Sequence, residues 1–353
     1  MPDTRLKNQD HDIDTTLTTP LKNSTQVFAP DNQPDDTLGW FKFYENSAFN
    51  RLVCSPIDAD KIEPYKGQFK YESNGIAFYS PNPETLKCID CPCLLTLINM
   101  LKDLYKGREG GDITVKDYME RYHISDRSNA RKILANTIDT LGNLMVELYY
   151  TTPQGEKRTM KVNILGAYES LQKGVARYKL NDDLIKFMTT LNNNMYGRLP
   201  DTINEVKDTD SLALLFMLCM STRMNGTKTH YTLTIPVKSL IEATSLRDRY
   251  EKVVKRLGGL QQRIIDPFEK KLDSMKRYIS LKWEYSHKDG TPLTDEELER
   301  VTYKDFINRH ILFTISNYPI STLPDAKTDK RIPNGNGKSK KKKAQNGSKK
   351  TTD

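Results

Sequence analysis

The sequence predicts an α+β, helix-rich protein in which a helix-turn-helix followed by a β-hairpin occurs twice in tandem, between disordered termini. Two observations carry this prediction. Apolar residues recur every three or four positions in several segments, as in amphipathic helices, and short segments bounded by Gly and Pro read as strands and turns. The same order of segments recurs in both halves of the 353-residue chain, which indicates an internal repeat.

The charge of the chain is concentrated in its C-terminal tail. Residues 327–353 hold ten Lys and Arg against two Asp, a net charge of +8, and the whole chain also carries +8. The C-terminal tail of the chain, assigned to residues 323–353, is too polar to fold alone. We expect it to be a mobile segment that adds salt-dependent affinity for a polyanion; the alternative is a tail that only increases solubility. Residues 1–38 are rich in Asp, Thr, Asn and Pro and predict a disordered acidic arm.

Length and composition exclude several classes of protein. A chain of 353 residues corresponds to about two domains. The longest apolar run, residues 212–220, is about half as long as a membrane span requires, and no apolar segment follows residues 1–5 to make a secretory signal. Five Cys, an odd number, favour a reducing compartment, so we expect a cytoplasmic protein.

The first domain is assigned to residues 39–168. Thr114 and Asp117 form a capping pair that opens a short helix, and Asp126 can cap a second helix after a tight turn, which together make a helix-turn-helix. Helix, helix-turn-helix and hairpin in this order are typical of a winged helix. The predicted elements are strands and turns from residue 40 onward, helices over 94–105, 115–122 and 127–143, and strands over 144–151 and 159–164 around Pro153-Gln154-Gly155.

The second domain is assigned to residues 169–322 and repeats this order. Pro267 interrupts a helical pattern, and it predicts either a kinked helix or a restart in which Asp266 caps and Pro267 is the first helical residue. The predicted elements are helices over 211–220, 237–243, 248–257 and 260–277, strands over 231–235, 279–285 and 306–316, and a short helical piece around 295–300.

Two blocks of the second half resemble a known family. Residues 260–272 with the following strand 279–285, and the strand and helix over 178–187, are similar to the second winged helix of iteron-binding plasmid replication initiators. This chain has Gln261, Gln262 and a single Arg263 where the family usually has two or three basic residues, which changes the expected target because Gln can read adenine as Arg reads guanine.

The resemblance implies a function for the whole chain. It implies binding to direct repeats in double-stranded DNA at a replication origin, a monomer–dimer equilibrium with autoregulation by the dimer, and recruitment of host replication proteins. It also implies a binding protein that is not an enzyme and needs no cofactor. The alternative is a winged-helix transcriptional regulator of a phage or mobile element.

In the first domain, the candidate DNA-binding residues lie at the start of the second helix of the helix-turn-helix and at the tip of the hairpin. In the second domain they lie on the basic helix over 248–257, on Arg247 beside it, and in the block from 260 onward that resembles the initiator family, and which of these helices enters the groove stays open. Helix starts enter the groove, whereas hairpin tips and basic helix faces meet phosphates. The alternative is that these residues form ordinary solvated surfaces. The candidates are Arg127, Asn129, Arg131, Lys132, Lys157, Arg158, Arg247, Arg249, Lys252, Lys255, Arg256, Gln261, Gln262 and Arg263.

No catalytic or metal site is predicted. The spacing of Cys88, Cys91 and Cys93 is compatible with zinc, but no fourth ligand is local, so buried unpaired thiols are the favoured interpretation. Of the five His, no two lie within two residues of each other, which disfavours a rolling-circle nickase, and no pair of carboxylates marks a nuclease. We therefore expect neither catalytic residues nor a metal.

Overall fold

The computed structural model describes residues 39–316, apart from 45, 46, 56, 74, 152–154, 191–195, 226–229, 257, 258 and 300. The predicted acidic arm and Lys-rich tail lie outside these residues. Within them, helices and strands are mixed throughout, as the predicted α+β class requires. None of the described helices has both the length and the apolar character that crossing a membrane demands.

The elements are numbered in chain order. The strands are β1 (Trp40–Tyr44), β2 (Glu63–Tyr65), β3 (Gln68–Ser73), β4 (Ile76–Ser80), β5 (Gly110–Thr114), β6 (Met145–Thr151), β7 (Lys157–Asn163), β8 (Leu165–Gln172), β9 (Val175–Leu180), β10 (Tyr196–Pro200), β11 (His230–Pro236), β12 (Leu281–Ser286) and β13 (His310–Ser316). The helices are α1 (Ser47–Val53), α2 (Pro83–Lys87), α3 (Cys91–Tyr105), α4 (Val115–Tyr122), α5 (Arg127–Gly142), α6 (Asp182–Thr190), α7 (Thr209–Asn225), α8 (Val237–Glu242), α9 (Leu246–Arg256), α10 (Asp266–Met275), α11 (Asp295–Glu299) and α12 (Tyr303–Asn308). Single turns of 3-10 helix span Ala59–Lys61 and Asp201–Glu205, and a π-helical turn spans Gln261–Ile265.

Two parts of the chain share one topology. The first repeat unit runs from α3 to β9 and contains a three-stranded antiparallel sheet in the order β5-β9-β8. The second repeat unit runs from α7 to β13, and its sheet has the order β11-β13-β12. In both units the strand that comes last in the chain lies in the middle of the sheet, so the repeated order of elements corresponds to a repeated arrangement in space.

The hairpin over β6 and β7 belongs to a different sheet from the one predicted. The two strands pair antiparallel as expected, but β6 also pairs with β4, in a five-stranded sheet of order β2-β3-β4-β6-β7. In the first repeat unit, β5 pairs instead with β9. The hairpin that corresponds to β12 and β13 is therefore β8 and β9, and the predicted domain boundary at residue 168 falls inside β8.

Both predicted helix caps in the first repeat unit are confirmed. The Thr114 hydroxyl accepts a hydrogen bond from the Asp117 amide at 3.0 Å. The Asp126 carboxylate accepts from the amides of Ser128 and Asn129 at 2.8 and 3.3 Å. Each cap satisfies amides that a helix start leaves without partners, so the ends of α4 and α5 are set by residues next to them in sequence.

The helix around Pro267 is continuous through a π-helical turn, so the alternative in which a new helix begins at Asp266 is wrong. The Asp266 amide donates to the Gln261 carbonyl five residues earlier, and α10 follows the π-helical turn without a break. Because Pro267 has no N–H and its ring crowds the preceding turn, a wider turn at this point accommodates it. The Asp266 carboxylate does not cap α10; it accepts from Gln261 Nε2 at 2.6 Å.

The last predicted strand begins later than expected. Residues 306–308 belong to α12, whose start carries a capping box between Thr302 and Asp305. The strand β13 begins at His310. The apolar pattern of this segment is shared by the end of a helix and the start of a strand, and the capping box decides where the helix lies.

A buried carboxylate joins three elements of the second repeat unit. Asp210, near the start of α7, accepts from the amide and the hydroxyl of Ser245, at 2.8 and 2.7 Å, in the loop between α8 and α9. Its second oxygen lies 3.1 Å from Lys271 Nζ on α10. Lys271 also bonds Asp208 at 3.0 Å. Burial alone would lower the pKa of Lys271, but the two carboxylates outweigh burial and raise it, so the ammonium stays charged.

We expect Asp210→Asn to destabilise the fold. The substitution removes the carboxylate that accepts from Ser245 and leaves Asp208 as the carboxylate partner of the half-buried Lys271 ammonium, so we expect a cost of about 2 kcal/mol, as for hydrogen bonds to charged groups. The lower free energy of unfolding would be measured by urea denaturation. Glu251→Gln, on the exposed side of α9, is the matched control and should change it by less than about 0.5 kcal/mol. Equal midpoints for the two variants would show that Asp210 does not hold these elements together.

Candidate nucleic-acid interface

The start of α5 presents a free, positively charged surface. Arg127, Asn129, Arg131 and Lys132 are all exposed, whereas the apolar stripe of the helix, which includes Leu134, is buried. In the described part of the chain, no carboxylate lies within ion-pair distance of the three basic side chains. The four predicted residues therefore lie within the first six residues of the helix and are available to a ligand.

Basic side chains elsewhere on the surface are often paired with acids. These include Lys61 with Asp248, Lys70 with Glu72, Lys87 with Glu84, Lys179 with Asp182 and Lys276 with Asp273, at distances from 2.5 to 3.0 Å. A paired cation has to exchange a carboxylate for a phosphate, whereas an unpaired one exchanges only water and mobile ions. The start of α5 is thus better suited to an anionic partner than a surface of equal formal charge with paired ions.

The predicted hairpin residues lie on the five-stranded sheet. Lys157 and Arg158 are exposed at the start of β7, and Arg158 forms an ion pair with Glu156 at 2.8 Å. Because β7 is not in the sheet of the first repeat unit, these residues are not on the hairpin that follows α5 in that sheet. They lie at the loop end of the β6–β7 hairpin, as expected, but that hairpin belongs to the five-stranded sheet.

Lys173 is a candidate that the sequence analysis missed. It forms the two-residue turn between β8 and β9 with Gly174, and both have positive φ, 50° and 87°. Lys173 is exposed, with no acid among the described residues close enough to form an ion pair, and the Gly174 carbonyl accepts from the Val115 amide at the start of α4. The signal that could have located this turn is Lys-Gly between two strand-forming segments, since such turns require positive φ at both central residues.

The basic helix α9 has two kinds of charged residue. Arg249, Lys252 and Lys255 are exposed, while the side chain of Arg256 lies outside the described residues. Arg247 is half-buried, and its Nη1 donates to the Ser73 hydroxyl at 3.0 Å. Of the predicted residues on this helix, Arg247 therefore makes contacts within the protein and does not face solvent.

The π-helical turn before α10 carries the other predicted residues. Gln261, Gln262 and Arg263 are exposed, whereas Ile264 and Ile265 are buried. The chain enters this turn through Gly259, whose φ is +78° and where a Cβ atom would lie 3.0 Å from Arg263 Cδ. A residue other than glycine would be strained here and would crowd the Arg263 side chain.

The helix that contains this turn corresponds to α5. In the second repeat unit, α10 packs against α7, as α5 packs against α3. It also faces β12 through Glu269, which accepts from Tyr285 at 3.0 Å, and Asp273, which accepts from Trp283 at 3.0 Å. Gln261, Gln262 and Arg263 thus begin the helix equivalent to α5, and α9 is an additional helix between α8 and this one.

The cysteines of the possible zinc motif do not form a metal site in the described residues. No group of three or more His, Cys, Asp and Glu is arranged there to hold a metal ion. The Cys91 thiol donates to the Val206 carbonyl at 3.4 Å, and burial raises its pKa to about 12. Cys93 is fully buried, and burial raises its pKa well above its usual value. Protonated thiols in the core fit the interpretation of structural cysteines for Cys91 and Cys93, whereas Cys88, which was expected to be buried as well, is exposed.

Comparisons with known proteins identify no family. No family model and no curated protein sequence matches the chain. Two crystal structures of domains 2 and 3 of RctB are partly similar. One has a TM-score of 0.41 at 10% identity, over 73% of this chain and 90% of that one. The other has a TM-score of 0.36 at 10% identity, over 76% and 96%. Likeness at this level assigns neither a fold family nor a function.

Proposed function

We propose that each repeat unit is a winged-helix domain and that the protein binds double-stranded DNA through both. The observation that carries this proposal is the equivalent position of two helix starts with exposed side chains in units of the same topology. At one start the side chains are Arg127, Asn129, Arg131 and Lys132, and at the other Gln261, Gln262 and Arg263. A helix start of this kind enters the major groove in helix-turn-helix proteins.

The two starts suit different contacts. Arg263 and the adjacent Gln262 have the donors and acceptors for bidentate contacts with guanine and adenine. The first helix start has three positive charges and one amide, so it combines base contacts with phosphate contacts. Arg249, Lys252 and Lys255 on α9 suit phosphates, because they are exposed and have long side chains without acidic partners among the described residues.

The hairpin of β8 and β9 is the wing of the first domain under this proposal. Its tip places Lys173 beside the start of α4, where a phosphate group of bound DNA would meet it. An exposed lysine in the left-handed conformation is strained, by roughly 1 kcal/mol. Under this proposal, Lys157 and Arg158 lie on the neighbouring five-stranded sheet and contact the DNA backbone farther from the wing.

We further propose that the DNA target consists of direct repeats at an origin, and that the protein initiates replication of a plasmid or mobile element. The support is the resemblance of residues 260–272 and 279–285 to iteron-binding initiators, together with the presence of two helices proposed to contact bases. We call these the reading helices: the first is α5, and the second is the helix formed by the π-helical turn and α10. A monomer–dimer equilibrium and recruitment of host replication proteins belong to the same proposal. All of the roles proposed for named residues are binding roles.

Arg263→Ala tests whether this residue reads a base. We expect affinity for a DNA sequence enriched from a random library to fall by about 1–3 kcal/mol, because a bidentate base contact is lost. Affinity for scrambled DNA should be unchanged. Binding would be measured by fluorescence anisotropy at fixed salt, with Lys282→Ala on the exposed side of β12 as control. An equal loss on both DNAs would identify a phosphate contact instead.

Lys173→Gly tests the proposed wing. The substitution relieves the left-handed backbone, so thermal stability should rise slightly, while DNA affinity falls and the slope of log K against log salt decreases by about 1. Lys66→Gly is the matched control, because Lys66 and Gly67 form the same turn between β2 and β3, with φ of 48° and 79°. It should gain stability without losing affinity. Loss of affinity in both variants, or in neither, would contradict the assignment.

A minimal replicon tests the initiator proposal. A plasmid that carries this gene and its flanking DNA should fail to replicate when the gene is deleted, and supplying the protein in trans should restore replication. Normal maintenance of the deleted plasmid, combined with altered expression of neighbouring genes, would favour the transcriptional regulator.

A further inference from the structure

Helix α9 is attached to the N-terminal sheet by two neighbouring residues. Arg247 Nη1 donates to the Ser73 hydroxyl on β3 at 3.0 Å, and only 19% of the Arg247 side chain is exposed. Asp248 accepts from Lys61 Nζ at 3.0 Å, and Lys61 also pairs with Asp58 at 3.1 Å. The paired residues are 174 and 187 positions apart in sequence, so the contacts join distant parts of the chain.

The charges at this junction, which we define as Asp58, Lys61, Ser73, Arg247 and Asp248, support one another. Burial alone would raise the pKa of Asp248, but the hydrogen bonds and charge of its neighbours outweigh burial and lower it. Asp248 is also 3.4 Å from Arg247 Nε. The half-buried Arg247 guanidinium has Ser73, Tyr71 and the Asp248 carboxylate as partners, so it holds a defined orientation, whereas an exposed ion pair alone would contribute little.

The junction is connected to the first reading helix through paired strands. Ser73 ends β3, which pairs with β4; β4 pairs with β6, and β6 begins three residues after α5 ends. At its other end, α9 packs against the π-helical turn of the second reading helix. A continuous path of hydrogen-bonded strands and packed helices therefore connects the two helix starts.

A second attachment restrains the chain that enters the second repeat unit. Lys207 Nζ donates to the Tyr122 carbonyl at 2.7 Å, and Asn99 Nδ2 donates to Asn204 Oδ1 at 2.9 Å. These contacts hold the segment before α7 against α3 and α4. Two attachments on different elements resist rotation of one unit against the other more than one attachment would.

We propose that Arg247 is a positioning residue, which through Ser73 holds the two DNA-binding units at a set distance and angle, so that the protein selects DNA by the spacing of its two half-sites. This inference rests on the proposed function and assigns to Arg247 a role other than the DNA contact expected from the sequence. Arg249, Lys252 and Lys255 remain exposed on the same helix for phosphates.

The first measurement requires no DNA. Spin labels would be attached to cysteines introduced at Asn136 on α5 and Lys270 on α10, both exposed, in a full-length chain in which the exposed Cys88 is replaced by Ser. The distance distribution should be narrow in this chain and clearly broader when Arg247→Gln or Ser73→Ala is added. Equally narrow distributions in all three chains would overturn the proposal, whatever the protein binds.

The second measurement uses the enriched DNA sequence with 5 base pairs inserted between its two half-sites, about half a helical turn. The unaltered protein should lose at least about tenfold in affinity, whereas Arg247→Gln and Ser73→Ala should lose less than about threefold, as for flexibly linked modules. Lys252→Gln, the control on the same helix, should weaken binding to both DNAs equally. A full spacing penalty in Arg247→Gln would overturn the proposal. Failure to enrich any sequence would refute the proposed function instead, and the distance measurement would still decide the role of Arg247.

Discussion

The central position of the last strand in each three-stranded sheet is the constraint on which the two units depend. To reach β5, the chain must leave α5, pass through the hairpin of β6 and β7, and return through β8 before β9 can pair. Gly110 permits this pairing, because a Cβ atom there would lie 2.4 Å from the Tyr178 carbonyl oxygen. The return of β9 places the turn at Lys173 beside α4 and carries the chain toward the second unit.

The same pairing leaves the hairpin of β6 and β7 free to join the N-terminal strands. That five-stranded sheet has no counterpart in the second repeat unit as described, and it supplies the surface to which α9 is attached. An insertion into the first unit thus provides the physical connection between the units. In the second unit, buried contacts of Asp210 hold α7 against the loop before α9 and against α10.

Charge is distributed so that a few residues carry the proposed specificity. The net charge of the whole chain equals that of residues 327–353, and many cations in the described part are already paired with acids. The exposed cations at the start of α5, on α9 and at Arg263 have no ion pair among the described residues, and they lie on or beside the two helix starts. A protein built this way would recognise DNA at two helix starts and would gain sequence-independent attraction from a separate segment.

The sequence by itself determined helices α3, α4 and α5 and the caps of α4 and α5, because these depend on residues close together in the chain. It did not predict α1, in a segment assigned to strands and turns, or the end of α12, which was assigned to a strand. The 3.6-residue period and the caps at Thr114 and Asp126 located α4 and α5, and with them the predicted residues at the start of α5. It did not determine which strands pair, because an alternating pattern identifies a strand but not its partner. Only the tertiary structure decided that β9 lies beside β5, that the turn at Lys173 lies beside the start of α4, and that Arg247 faces Ser73 rather than solvent. Each of these depends on contacts between residues that are distant in sequence, and no local pattern records them.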